Sequence, residues 1–232
     1  MNPDLTKEYL IELFTACKGK DILFDNPNPG ILIRHDVDDD LDRSVRMAEL
    51  QHSIGVKATY FILNTAPYWE VDLGMNEELF NKLRHIESLG HSIQWHNNSI
   101  AEYKSQHFKN LFSIADCIKS PLFYLRSFGF KITGSASHGD PLCHKHGFIN
   151  YEVFSGPMGE RTREAVNFKQ PDFIIPKIDP KDFGLEWEAY HVPYDEYYSE
   201  AGGRWKVKPD PEHFRNFNGR IQLLIHPQWW SI

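Results

Sequence analysis

Apolar residues recur at helical spacing over residues 4–17, where Leu5, Tyr9, Leu10, Leu13 and Phe14 share one side. A turn of Pro27, Asn28, Pro29 and Gly30 then opens a short apolar strand, residues 31–33, that runs without a break into Arg34, His35, Asp36, Val37 and Asp38. Residues 40–54 read as a helix ending before Gly55, and residues 57–63 (KATYFIL) as a second strand. A helix over 77–89 stops at Gly90, a short strand over 91–96 follows, and 105–119 again carry helical periodicity. Residues 131–138 (KITGSASH) predict a strand that ends on the breakers Gly139, Asp140 and Pro141. Weaker strand signals lie at 173–176 and 189–192, and residues 219–226 (GRIQLLIH) form a last strand closed by Pro227.

Strands alternating with helices in this way predict an α/β fold with a mostly parallel sheet and helices outside it. The first expectation is a closed or nearly closed (β/α) barrel over residues 1–232 as a single domain, with residues 1–28 a helix and turn packed on it. An open doubly wound sheet is the second. No GxGxxG or GxxxxGK[ST] follows any strand, so a nucleotide site has no motif to rest on.

The polar residues matter more than the count of elements. Four apolar runs each end in acidic or histidine residues: ILI in RHDVD, HSIQW in His96, ITGSA in Ser137 and His138, and IQLLI in His226. In a parallel barrel the C-terminal strand ends share one face, where active sites are built from several strands. Arg34, Asp36 and Asp38 have the same parity, so on an extended backbone they point to one side, with His35 and Val37 on the other. Two carboxylates so placed repel unless a cation or proton separates them. Arg34 can neutralise one and a divalent metal the other, which makes one aspartate a metal ligand and the other a general base for water. The competing reading is a helix N-terminus, and it suits Asp39 and Asp40, which precede the 40–54 helix.

A hydrolytic metal site needs about three protein ligands and an open position. Asp38, His96 and His138 can supply them, and mixed nitrogen and oxygen donors suit zinc or another first-row divalent ion. Of the rival histidines, His91 has parity opposite to His96 and reads as structural or exposed, while His144 and His146 follow the SASHGD turn and read as solvated. His226 can protonate a leaving amine, against the alternative of a buried histidine satisfied by a backbone group.

Composition narrows the remaining classes. A hydrophobic share of 41% with 25% charged residues fits a globular chain and argues against disorder. The net charge of −7, with no block of lysines or arginines, makes nucleic acid a poor partner. Cys17, Cys117 and Cys143 are scattered without a CxxC pair, which fits a reducing compartment. The opening MNPDLTKEYLIELF lacks the long uncharged core of a secretory leader, and no apolar run approaches the roughly 18 residues of a membrane span. A cytoplasmic protein is the default expectation. Aromatic residues gather in the last third, where they suit either core packing or the faces of sugar rings.

The run ILIRHDVDDD, a helix and then GVKATYFI resemble the first two strands of polysaccharide deacetylases of the NodB-homology type, and more closely the branch marked by an RHDVD start. SLGHSIQWHNN resembles that family's GHEIGxH strand, GSASHGDP its S-x-H-G strand, YYSEAGGRW its SDSxGRW segment and LLIHPQWW its terminal ITHPxWW. The matches run in order over roughly residues 31–230. The resemblance implies a distorted, partly open (β/α) barrel, a divalent metal that is usually zinc, and hydrolysis of an acetamido group on an amino sugar. Through it Asp36 matches the catalytic base, Asp38 the metal aspartate, His96 the first metal histidine and His226 the general acid.

The chain departs from that pattern in two places. Ile100 stands four residues after His96, so the usual HxxxH lacks its second histidine; His138 from the next strand is the geometric replacement, with Asn97 or Asn98 as fallback. Glu200 stands where the SDSxGRW segment has its aspartate, which leaves Arg204 and Trp205, with Trp229, as substrate or structural contacts. The expected chemistry has Asp36, oriented by Arg34, taking a proton from the attacking water while His226, as an imidazolium, protonates the departing nitrogen. Three functions stay open: a deacetylase of a small carbohydrate or glycoconjugate, a hydrolase of a cyclic amide or imide, and a catalytically silent carbohydrate-binding barrel. Residues 151–200, long, aromatic and weakly periodic, suit a covering insertion or ordinary barrel elements equally.

Overall fold

The computed structural model describes residues 5–69, 76–105, 113–162, 165 and 167–232. In chain order its elements begin α1 (Lys7–Cys17), β1 (Asp21–Ile22), β2 (Gly30–Val37), α2 (Leu41–Ile54), β3 (Thr59–Leu63), α3 (Glu77–Ser88) and β4 (Ser92–Asn97). They continue with α4 (Ser99–Ser105), α5 (Ile114–Ser127), β5 (Gly134–Ser137), α6 (Pro141–His146), β6 (Trp187–Glu188), β7 (Glu196–Ser199), α7 (Pro211–Asn216) and β8 (Arg220–Ile225). The alternation of strands and helices is that of an α/β protein, and every strand pair with a defined register is parallel. The chain forms two compact units, one of Met1–Ile62, Ala66–Ile93 and Pro193–Ile232, the other of Leu63–Thr65 and Gln94–Val192. Among the described residues no helix is long and apolar enough to cross a membrane.

In the first unit the strands lie in the order β3, β2, β8, β7, with β1 beside the start of β2. All eight residues of β2 are buried, as expected of a central parallel strand covered on both faces. The helices start and stop where local chemistry says they should. Thr6 caps α1, Asp40 caps α2 and Asn76 caps α3, each side chain accepting from a backbone N–H in the first turn. Asp40 therefore has the helix-capping role that its position suggested. Gly55 ends α2 at a φ of 87°, a left-handed geometry that costs glycine little.

Alternation along β2 sends its polar residues to opposite sides. His35 turns toward the helices, where its ring meets Phe14 of α1 edge-on and its Nε2 accepts from the Gln51 amide at 2.9 Å. Gln51 in turn accepts from the Tyr60 hydroxyl at 2.7 Å, and His35 Nδ1 donates to the Ile225 carbonyl at 3.3 Å. Each polar group in this buried chain has a partner, which is the condition for keeping it in a core.

In the second unit β5 lies between β4 and β6. Its small residues (GSAS) allow close approach: a Cβ on Gly134 would sit 2.2 Å from the Trp187 ring, so no larger residue fits without movement. Helix α5 begins at a capping box, Ser113 and Asp116 exchanging side-chain and backbone bonds.

Four features differ from the sequence reading. The helix expected at 105–119 is instead α5, which starts at Ile114 and runs to Ser127; residues 106–112 lie outside the described part. The apolar face of α5 continues through Ile118, Pro121, Leu122 and Leu125, and burial of that face carries the helix past the proline. Residues 173–176 are not a strand, and Ile174 is 93% exposed, so a strand there would lack a covering layer. Residues 189–192 form a turn, because the buried Glu188 carboxylate accepts from Tyr190 N at 2.7 Å and meets His191 Nδ1 at 3.2 Å. Strand β7, which pairs with β8, lies within the segment read as weakly periodic.

Candidate functional site

The first unit supplies an acid–base group. Arg34 and Asp36 leave β2 on the same side, and the guanidinium grips the carboxylate with two parallel bonds, Nε to Oδ1 and Nη2 to Oδ2, both 2.7 Å. Arg34 is fully buried and Asp36 is 3% exposed, with the Phe61 ring 5.4 Å beneath the guanidinium. A buried charge is tolerated when it is paired in this bidentate way, and the fork fixes the plane of the carboxylate. The fork takes two of the roughly four acceptor positions of an ionised carboxylate.

Asp38 follows β2 by one residue, and its Oδ2 accepts from Gln228 Nε2 at 3.3 Å. The end of β8 presents His226, and the register that sets Ser199 beside Leu224 carries Glu200 to the same level. Glu200, fully buried, accepts from the His226 backbone N–H, from His226 Nδ1 at 2.8 Å and from the Trp230 indole at 3.2 Å. The other imidazole nitrogen, Nε2, lies 3.8 Å from Asp38 Oδ2. Burial opposes a charge on this ring, but the hydrogen bond and charge of Glu200, with Asp36 and Asp38 nearby, outweigh it and lift the His226 pKa to about 9. The alternative of a histidine satisfied only by a backbone group does not hold. The sequence left Glu200 as a departure from a motif; its role appears only when β7 is laid beside β8.

The second unit supplies a pair of imidazoles. His96 near the end of β4 is 1% exposed, and its Nδ1 donates to the Ala136 carbonyl of the paired strand at 2.7 Å. That bond fixes the tautomer and presents Nε2 as a lone-pair donor, the backing that ligand histidines usually have. His138, just past β5, sets its Nδ1 3.2 Å from His96 Nε2, with the two rings edge to face. Two nitrogens bound tetrahedrally at zinc–nitrogen distances would stand roughly 3.3 Å apart, so the pair has the spacing of two ligands of one ion.

The two fallback asparagines are engaged elsewhere. Asn97 Oδ1 accepts from the Ser99 backbone and hydroxyl at the start of α4, and Asn98 Oδ1 accepts from the Asn150 amide at 3.1 Å. His91 is structural: Ala58 N–H donates to its Nδ1 and its Nε2 donates to the Ala48 carbonyl, both at 3.1 Å. His144 and His146 belong to α6, the first against the Phe168 ring and the second 3.0 Å from Asp172. Among the proposed substrate contacts Arg204 is exposed, Trp205 stands edge-on to Trp230 at 6.1 Å, and Trp229 is 46% exposed beside Gly203.

No protein-family model matches the chain, and no curated protein matches it.

Proposed function

We propose that this chain is a metal-dependent hydrolase of an amide C–N bond, acting on an N-acetylated small carbohydrate or glycoconjugate. Asp38, His96 and His138 are the proposed holders of one divalent ion, zinc being the first candidate for one carboxylate and two imidazoles. The reading takes their strand ends as the common mouth of a partly open (β/α) barrel. The observation that carries it is the His96–His138 pair, at ligand spacing and with the His96 tautomer fixed by a backbone carbonyl. Free, buried cysteines suit a reducing cytoplasmic setting.

When bound, such an ion polarises an amide carbonyl and makes water more acidic. The chain's own residues do the rest. Asp36, held in plane by Arg34, accepts the proton of the attacking water at a carboxylate oxygen. His226, kept protonated by Glu200, delivers a proton from Nε2 to the departing nitrogen. Arg204, Trp205 and Trp229 are proposed to line the sugar's approach.

The test is elemental analysis of protein purified without a histidine tag, beside Asp38→Ala and His138→Ala. About one ion per chain in the parent, absent from both variants, is the expected result. Loss in Asp38→Ala alone would move the third ligand away from His138. No ion in the parent after reconstitution would leave the silent carbohydrate-binding reading in its place, and a panel of N-acetyl sugars against cyclic imides separates the two hydrolase readings.

A further inference from the structure

Beside the imidazole pair the second unit holds a cavity of about 210 Å³. Ser137 and His138, at and just beyond the end of β5, line one part of it; Ile149, Tyr151, Phe168 and Tyr190 supply much of the apolar remainder, with Cys143, His144 and Thr162 among the other lining residues. None of its described lining side chains is a carboxylate, ammonium or guanidinium, so an amine would enter without a counter-charge and an anion would meet no fixed cation, only the imidazoles of His138 and His144. Ser137 Oγ is buried with no hydrogen-bond partner among the described residues, which leaves it as a neutral polar anchor at the edge of a largely apolar wall. The volume excludes a whole substrate, since complete ligand sites run to about 300–1,000 Å³. It is larger than the roughly 150 Å³ of an apolar cavity that accepts benzene, and the methyl of an acetyl group would leave most of it empty.

From these observations we propose that the cavity is a specificity subsite for a neutral, apolar group of about six to eight carbon atoms carried by the substrate. This rests on the hydrolase reading, because His138 belongs both to the cavity wall and to the imidazole pair, so a group attached near a reacting amide enters the cavity. Such a group has two sources. It is either the acyl arm of the amide, longer than acetyl, or an apolar substituent on the amine side of an N-acetyl sugar.

The experiment measures binding by calorimetry to the intact, metal-loaded protein, using N-acetylglucosamine, N-hexanoylglucosamine and phenyl N-acetylglucosaminide, with hydrolysis of each followed separately. Each buried methylene is worth about fourfold in affinity, so the hexanoyl probe gains on the order of 100-fold over acetyl if the acyl arm fills the cavity. A gain confined to the phenyl glycoside assigns the cavity to the amine side. Ile149→Trp, which fills the cavity, is expected to abolish either gain and leave N-acetylglucosamine binding unchanged. Phe168→Ala, which widens it, is expected to move the acyl optimum to a longer chain and serves if the tryptophan variant fails to fold. Equal binding of all three probes, or a gain that survives Ile149→Trp, overturns the subsite. A gain without turnover of any probe keeps the subsite and overturns the hydrolase; turnover of N-acetylglucosamine with no gain does the reverse.

Discussion

Acidification from pH 7 to pH 5 is expected to cost the fold about 3 kcal/mol, before most surface carboxylates titrate. The cause is two buried neutral histidines in the first unit. Burial, with His91 nearby, pushes His35 down to about 3, and burial pushes His91 down to about 4, from an ordinary 6.5. The geometry agrees with these directions: protonation would set a new N–H against the Gln51 amide hydrogen at His35 and against the Ala58 N–H at His91. A lowered pKa in the folded state means that the unfolded chain binds more protons between the two values. The stability is therefore complete above about pH 7 and is lost as pH falls through 6.5 toward 4. Each histidine loses roughly 2 kcal/mol over the two units, and His226, raised to about 9, returns roughly 1 kcal/mol because it favours the protonated folded state. Urea denaturation at pH 7, 6 and 5 reads the loss directly. His91→Asn, which retains a donor and an acceptor but cannot be protonated in this range, should remove about two thirds of the dependence. A parent protein whose unfolding free energy is flat over this window would refute the reasoning, as would a His91→Asn slope equal to the parent's.

Three further outcomes follow from the geometry. Asp36→Asn is expected to keep its metal while losing about 10²–10⁴-fold in turnover, and near-parental rates would remove Asp36 as the base. Glu200→Gln removes the charge that raises His226, so the loss of activity at high pH, expected near 9 in the parent, should move to lower pH; an unchanged pH–rate profile would sever Glu200 from the acid. Gly134→Ala forces a Cβ to 2.2 Å from the Trp187 ring and should destabilise by about 1–3 kcal/mol, measured by chemical denaturation; a neutral effect would mean that Trp187 yields freely.

The strand ends were legible because, in a parallel sheet, an apolar run that breaks abruptly into charge marks the point where the strand leaves the core. The ILI and IQLLI runs placed Arg34 and Asp36 on the last residues of one strand, and His226 just past another, from spacing alone. The bond between Glu200 and His226 was not legible, because it depends on the register of β7 against β8, two segments separated by 20 residues with no local signal linking them. Strand β7 itself (EYYS) is half-buried at a sheet edge, so it has no clean alternation to detect. At residues 189–192 the β-branched and aromatic residues suggested a strand, but a single buried carboxylate, Glu188, outweighed propensity by capturing nearby backbone N–H groups. Helix α5 shows the same lesson in reverse: a proline that should end a helix is carried inside one by the buried face on which it sits.

The tautomer of His96 is held by a main-chain carbonyl, so every residue type at position 136 supplies the same acceptor. Point substitutions between small residues there leave the imidazole's orientation intact, and what the position tests is volume, since Ala136 is fully buried. Insertions and deletions behave differently. One residue gained or lost within β4 or β5 shifts the pairing of His96 with Ala136 and turns the ring to the opposite face of the sheet. The imidazole's orientation is therefore set by the lengths and register of these two strands, while side-chain identity along β5 is limited by volume, at Ala136 as at Gly134.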